Sequence, residues 1–172
     1  MQDLADLVNQ PSFWDYFFSG NTLALLGAAM ALILSGYGSC KGVMMVGNAA
    51  APVVADDPSK FGKSIVLQAL PGTQGLYGFV TAFVVLIKLD LFGTMKVLTV
   101  GQGSFILAAC LPIAFIGYYS AIKQASVAVS GISILAKRPD QFMKGVISAA
   151  LVETYAAFAF LVSLLVLLQF NI

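Results

Sequence analysis

Histidine is absent from the 172 residues, glutamate occurs once and cysteine twice, and only 10% of the chain is charged, against about 25% in soluble domains. Without histidine, the chain lacks the side chain most often used for proton transfer near neutral pH and for metal ligation. A net charge of +1 excludes the basic surface that nucleic acid requires. Cys40 and Cys110 stand far apart and are expected as small packing residues, not as a disulfide framework or a metal site. No nucleophile with a base, phosphate loop or metal cluster is offered, so no catalytic site is expected within this chain. What is abundant is apolar: 59% of residues are hydrophobic, too many for a water-soluble domain of this length, and a membrane protein is the remaining class.

Charged residues divide the chain into uncharged windows of 25 residues (Tyr16 to Cys40), 24 (Ser64 to Ile87), 26 (Val97 to Ile122) and 28 (Gly145 to Ile172), the last interrupted only by Glu153. A spanning helix needs about 20 apolar residues, so the pattern predicts four transmembrane helices. The first and third extend past Lys41 and Lys123, to roughly Ala51 and Leu135, and the lysine stems can carry their charges to a headgroup or a polar crevice. Charge and proline together mark short links at Ala55 to Lys60 and at Lys137 to Asp140. Leu89 to Gly93 forms the opposite turn, and Trp14, Tyr16, Phe17 and Phe18 sit where an interfacial aromatic belt anchors the first helix. Lys60, Lys63, Lys137, Arg138 and Lys144 flank the first and third links, against only Lys88 and Lys96 opposite. This bias predicts a multi-pass protein of the cell membrane with cytoplasmic 1–2 and 3–4 loops and both termini extracytoplasmic.

Slid along itself by 81 residues without a gap, the chain matches Pro58 to Pro139, Gly36 and Tyr37 to Gly117 and Tyr118, Ser39 to Ser120, Lys63 to Lys144 and Thr73 to Thr154. Glycine, proline and charged positions agreeing in one register point to a duplicated helical hairpin. The organisation expected is a segment 1–15, a first hairpin 16–91 and a second hairpin 92–172, both inserted the same way up. The halves differ where it matters most: Glu153 of the fourth helix corresponds to Gly72 of the second.

Glu153 lies about 11 residues into its helix, about 16 Å deep and near the centre of a core roughly 30 Å thick. A carboxylate there costs about 2.5 to 3.5 kcal/mol and normally marks an ion or proton path. Oxygen donors gather at the same depth. Pro71, within the run Leu70 to Tyr77, frees a backbone carbonyl, Thr73 adds a hydroxyl, and Gln74 and Gln124 add two amide oxygens. Taken singly, Thr73 can bond back to its own helix and the glutamines can simply tie helices together. Taken jointly, one carboxylate among neutral oxygens suits a desolvated alkali cation, whereas a proton would need the carboxylate alone. Tyr77, one turn past Thr73, can hydrogen-bond that carboxylate.

With its double hairpin, glycine-rich first helix, lone membrane glutamate and the motifs Leu70-Pro71-Gly72-Thr73-Gln74-Gly75-Leu76-Tyr77 and Glu153-Thr154-Tyr155-Ala156, the sequence resembles the proteolipid that forms the rotor ring of vacuolar-type ATPases. The likeness is strongest to the bacterial sodium-translocating form. It implies Na⁺ ligation by the Leu70 carbonyl, the Thr73 hydroxyl, the Gln74 and Gln124 side chains and the Glu153 carboxylate, with Tyr77 bonded to that carboxylate. It also implies a homo-oligomeric ring, a stator subunit bearing a membrane arginine, central-stalk subunits and surrounding lipid. Slim first and third helices are expected on the inner wall of that ring, and the bulkier second and fourth helices, which carry Phe79, Phe83, Phe158 and Phe160, outside. The alternatives are the same ring carrying H⁺ on Glu153, and a non-motor tetraspan channel or packing protein.

Overall fold

Ser12 caps its own turn: its hydroxyl accepts from the Asp15 amide at 3.3 Å while the Asp15 carboxylate accepts from the Ser12 amide at 2.7 Å. The computed structural model describes residues 12–171, so the expected segment 1–15 lies largely outside the described residues. Every regular element among those described is helical. The capping box starts a short helix, Phe13–Phe17, whose Phe13, Trp14 and Phe17 rings and the following Phe18 stack on one another, exposed. This corrects the expected start of the first span. The chain breaks at Phe18, and Ser19 then caps a new helix, accepting from the Thr22 amide, so the span begins at Gly20 and not at Tyr16.

Four spans long and apolar enough to cross a membrane follow: Gly20–Asp56, Pro58–Lys88, Val100–Lys137 and Pro139–Gln169. The first, at 37 residues, is about 55 Å long at 1.5 Å per residue, so its ends reach well beyond the hydrocarbon. The links between spans one and two and between three and four are as short as expected. In the first, Asp57 accepts from the Ser59 amide and hydroxyl at 3.0 and 2.6 Å, capping a 3₁₀ turn at Pro58–Lys60. In the second, Arg138 leads into the 3₁₀ turn Pro139–Gln141. The opposite link is pinned to the first span by Asn21, which donates to the Lys96 carbonyl and accepts from the Leu98 amide, both at 2.7 Å.

The first and third spans share the most extensive contact. Lipid tails are as apolar as leucine, so helix association here depends on close approach rather than on escape from water. Small residues permit that approach: a Cβ on Gly27 would stand 2.8 Å from Leu107 Cα, and one on Gly38 2.7 Å from Tyr118 Cα. Buried apolar residues form two clusters, one containing Ala24, Ala28, Ile106 and Ile113, the other Val46, Leu67, Ala128 and Leu135. Between them in the chain's register lie the buried polar residues Ser35, Ser39, Gln74, Ser120 and Gln124. Phe79, Phe83 and Phe158 are exposed, whereas Phe160 is partly buried and stacks on Tyr77 with centroids 5.1 Å apart. Cys110 is buried as expected, but Cys40 faces outward.

Candidate ion-binding site

The second span is interrupted in its middle. Pro71 has no amide hydrogen, and the helix that ends at Ala69 passes through a 3₁₀ turn at Leu70–Gly72 before resuming at Thr73. At this break the Leu70 carbonyl accepts from the Thr73 amide and, at 3.0 Å, from the Thr73 hydroxyl. The break also turns the Gly75 amide towards the first span, where the Ser39 hydroxyl accepts from it at 2.7 Å.

Beside the interruption, the six residues singled out from the sequence form one connected chain of hydrogen bonds. The Thr73 hydroxyl lies 3.4 Å from Gln74 Oε1, Gln74 Nε2 donates to Gln124 Oε1 at 2.5 Å, and Gln124 Nε2 donates to Glu153 Oε2 at 3.4 Å. From the other side, the Tyr77 hydroxyl donates to Glu153 Oε1 at 2.8 Å. Gln74 and Gln124 are fully buried, while Leu70, Thr73, Tyr77 and Glu153 are partly buried. Three spans therefore converge: the second supplies four residues, the third Gln124 and the fourth Glu153. The back-bond of Thr73 to Leu70 and the glutamine tie between spans coexist with the cluster. They hold a carbonyl, a hydroxyl, two amides and a carboxylate together.

Two supports were not legible as such. Ser39 matches Ser120 in the repeat, and Ser120 likewise reaches the fourth span, donating to the Val152 carbonyl at 3.2 Å. Phe160 is the ring against which Tyr77 is held. The repeat match of the serines was the available signal; nothing in the local pattern distinguishes Phe160 from its exposed neighbours.

The positions related to the site by the 81-residue repeat keep part of its scaffold without its chemistry. Thr154 bonds back to the Leu151 carbonyl at 2.8 Å, as Thr73 does to Leu70. At the positions matching Glu153 and Gln124, however, stand Gly72 and Val43, and a Cβ on Gly72 would lie 3.6 Å from Val43 Cγ2. The described residues contain no group of three or more metal-binding Cys, Asp or Glu side chains, so any cation held here is held by one carboxylate and neutral oxygens.

The family model for the ATP synthase C subunit matches the chain twice, over residues 26–85 and 107–166, one match per hairpin. The V-type sodium ATPase subunit K of Enterococcus hirae is 50% identical over 158 residues, covering 90% of this chain and 98% of that protein. The A-type ATP synthase subunit K of Methanocaldococcus jannaschii is 38% identical over 145 residues, 84% of this chain and 61% of that one. Two family matches separated by the repeat length, on a four-span membrane chain, place the protein in its family: it belongs to the ATP synthase C subunit family.

Proposed function

We propose that the chain is the ion-carrying subunit of a rotor ring in a vacuolar-type ATPase and that its cargo is Na⁺. The ligands are the Leu70 carbonyl, the Thr73 hydroxyl, the Gln74 and Gln124 side chains and the Glu153 carboxylate, with Tyr77 orienting that carboxylate. The observation that carries the reading is the continuous hydrogen-bonded chain from Leu70 to Glu153. A proton site needs only the carboxylate; this one gathers four further oxygens of the hard type that alkali cations take. The Enterococcus hirae relative, by its name a sodium ATPase subunit, supports the same choice of ion.

In this reading bound Na⁺ neutralises Glu153, which lets the site pass through lipid as the ring turns. At a stator subunit, an arginine competes for the carboxylate, and the ion leaves to one aqueous path while the next enters from the other. ATP hydrolysis in a soluble motor, acting through central-stalk subunits, supplies the rotation. The two hairpins 16–91 and 92–172 stand the same way up, and the cation-rich 1–2 and 3–4 links face the cytoplasm. Isolated rings equilibrated with radioactive sodium should retain it, and Thr73→Val, Gln74→Leu and Gln124→Leu should each release it. Rings that hold no sodium, or hold it equally well after all three changes, would refute the assignment.

A further inference from the structure

The first span supplies no ligand to the proposed site, yet one of its faces runs along the back of the break in the second span. A Cβ on Gly42 would stand 2.8 Å from Pro71 Cβ; further along the same face Ser39 meets Gly75 and Ser35 lies against Gly78. Ser39 adds a hydrogen bond to its contact: the buried hydroxyl accepts from the Gly75 amide at 2.7 Å. Thr73, Gln74 and Gly75 open the helix that resumes after the break, and the first amides of a helix have no partner within it. The residue before such a start commonly lends a side-chain oxygen to the second or third amide, but here that residue is Gly72, which has no side chain. Ser39 lends the oxygen from another span.

The repeat provides an internal comparison, because Ser120, Val152 and Ala156 are the counterparts of Ser39, Pro71 and Gly75. With valine in place of proline, the fourth span is unbroken over Phe142–Gln169, which commits the Ala156 amide to the Val152 carbonyl. Ser120 there donates to the Val152 carbonyl, at 3.2 Å. The same serine thus accepts from an amide beside the broken helix and donates to a carbonyl beside the intact one.

We propose that Ser39 is a positioning residue of the sodium site: by capping the resumed helix it holds the second span in its broken form, and with it the Leu70 carbonyl and the Thr73 hydroxyl. Deprived of Ser39, the Gly75 amide returns to the Pro71 carbonyl, and the α-helical register gives the Leu70 carbonyl to the Gln74 amide. Two neutral ligands then leave the place set for the ion, whereas the Tyr77 bond to Glu153 stays. The inference rests on the sodium reading and deepens it.

Protection of Glu153 by sodium against a hydrophobic carbodiimide, in isolated rings at fixed pH, tests this role. Ser39→Ala should raise the sodium concentration for half-protection about tenfold. Gly75→Ala, whose Cβ would stand 3.2 Å from Ser39 Oγ and Cβ, should do the same by separating the pair, and the double variant should lose no more than either alone. The labelling rate without sodium should match that of the wild-type ring in all three. Ser35→Ala, which removes a buried hydroxyl bonded back to the Ala31 carbonyl of its own span, should change neither reading. Unchanged sodium protection in both single variants would overturn the inference and leave the sodium reading standing. So would losses that add fully in the double variant, an altered rate without sodium, or an equal shift from Ser35→Ala. Wild-type rings whose labelling ignores sodium would remove the sodium reading and this inference with it.

Discussion

Glu153 sends its two oxygens to different spans, Oε1 to Tyr77 and Oε2 to Gln124, and the two bonds differ in role. The tyrosine bond is short and its ring is held by Phe160, so in the proposed site Tyr77 orients the carboxylate and is not itself a ligand. Partners of this kind typically contribute 10- to 100-fold in metal affinity, so Tyr77→Phe is expected to weaken Na⁺ binding about tenfold with ring assembly unchanged, measured by sodium titration of isolated rings. Gln124 answers to two neighbours. Gln124→Leu removes the acceptor of the buried Gln74 amide and the donor to Glu153, and an unsatisfied buried polar group costs about 1 to 3 kcal/mol. Thermal unfolding of the ring should fall accordingly, and Gln74→Leu added to Gln124→Leu should restore part of the loss. Five residues of the proposed site, Thr73, Gln74, Tyr77, Gln124 and Glu153, were legible as polar side chains at one depth of an apolar span, whereas the Leu70 carbonyl came only with the resemblance. Ser39 and Phe160 were not, because a serine and a phenylalanine are ordinary in such a span until packing assigns them neighbours.

At the scale of elements, charge-free windows located all four spans but not their ends. The first starts at Gly20 because Ser19 caps it and Ser12 claims the preceding turn, competition between two caps that a hydropathy pattern does not register. Glycines divide into those that carry a crossing and those that do not. Gly38→Ala would force a Cβ to 2.7 Å from the Tyr118 backbone, whereas Gly62 has nothing within 4 Å of its would-be Cβ. Overpacking of this kind costs about 1 to 3 kcal/mol, so Gly38→Ala should lower the thermal stability of purified rings and Gly62→Ala should not. The first link offers a pH test. Hydrogen bonds from the Ser59 side chain and amide, aided by Lys60, hold the Asp57 carboxyl below the usual carboxylate range. A lowered folded pKa means that the cap is fully formed above the ordinary carboxylate pKa and is lost only as the pH falls through the lowered value. Amide exchange at Ser59 should therefore stay slow through the ordinary carboxylate titration and quicken only below it; Asp57→Asn should abolish that pH dependence.

For the whole molecule, a duplicated hairpin with the acid in only one of its halves is the organising fact. Of the four spans only the fourth carries a carboxylate at mid-membrane depth, with Gly72 at the matching place in the second, so a ring of such chains moves half as many ions per turn as one acid per hairpin would provide. Moving each charge against 100 mV costs about 2.3 kcal/mol, and fewer ions per turn leave more of the motor's work for each, a gearing that favours pumping. The repeat register was visible in the sequence, and so was the asymmetry at Glu153. Which faces the hairpins use to meet was not, because it depends on which glycines point at a neighbour. The central claim, that Glu153 closes a sodium site, is most directly tested by labelling with a hydrophobic carbodiimide, which reacts with a protonated buried carboxyl. In isolated rings at fixed pH, millimolar Na⁺ should slow modification of Glu153 in a saturable way, while the same concentration of a bulkier monovalent cation should not. Labelling at a rate indifferent to Na⁺ would contradict the account.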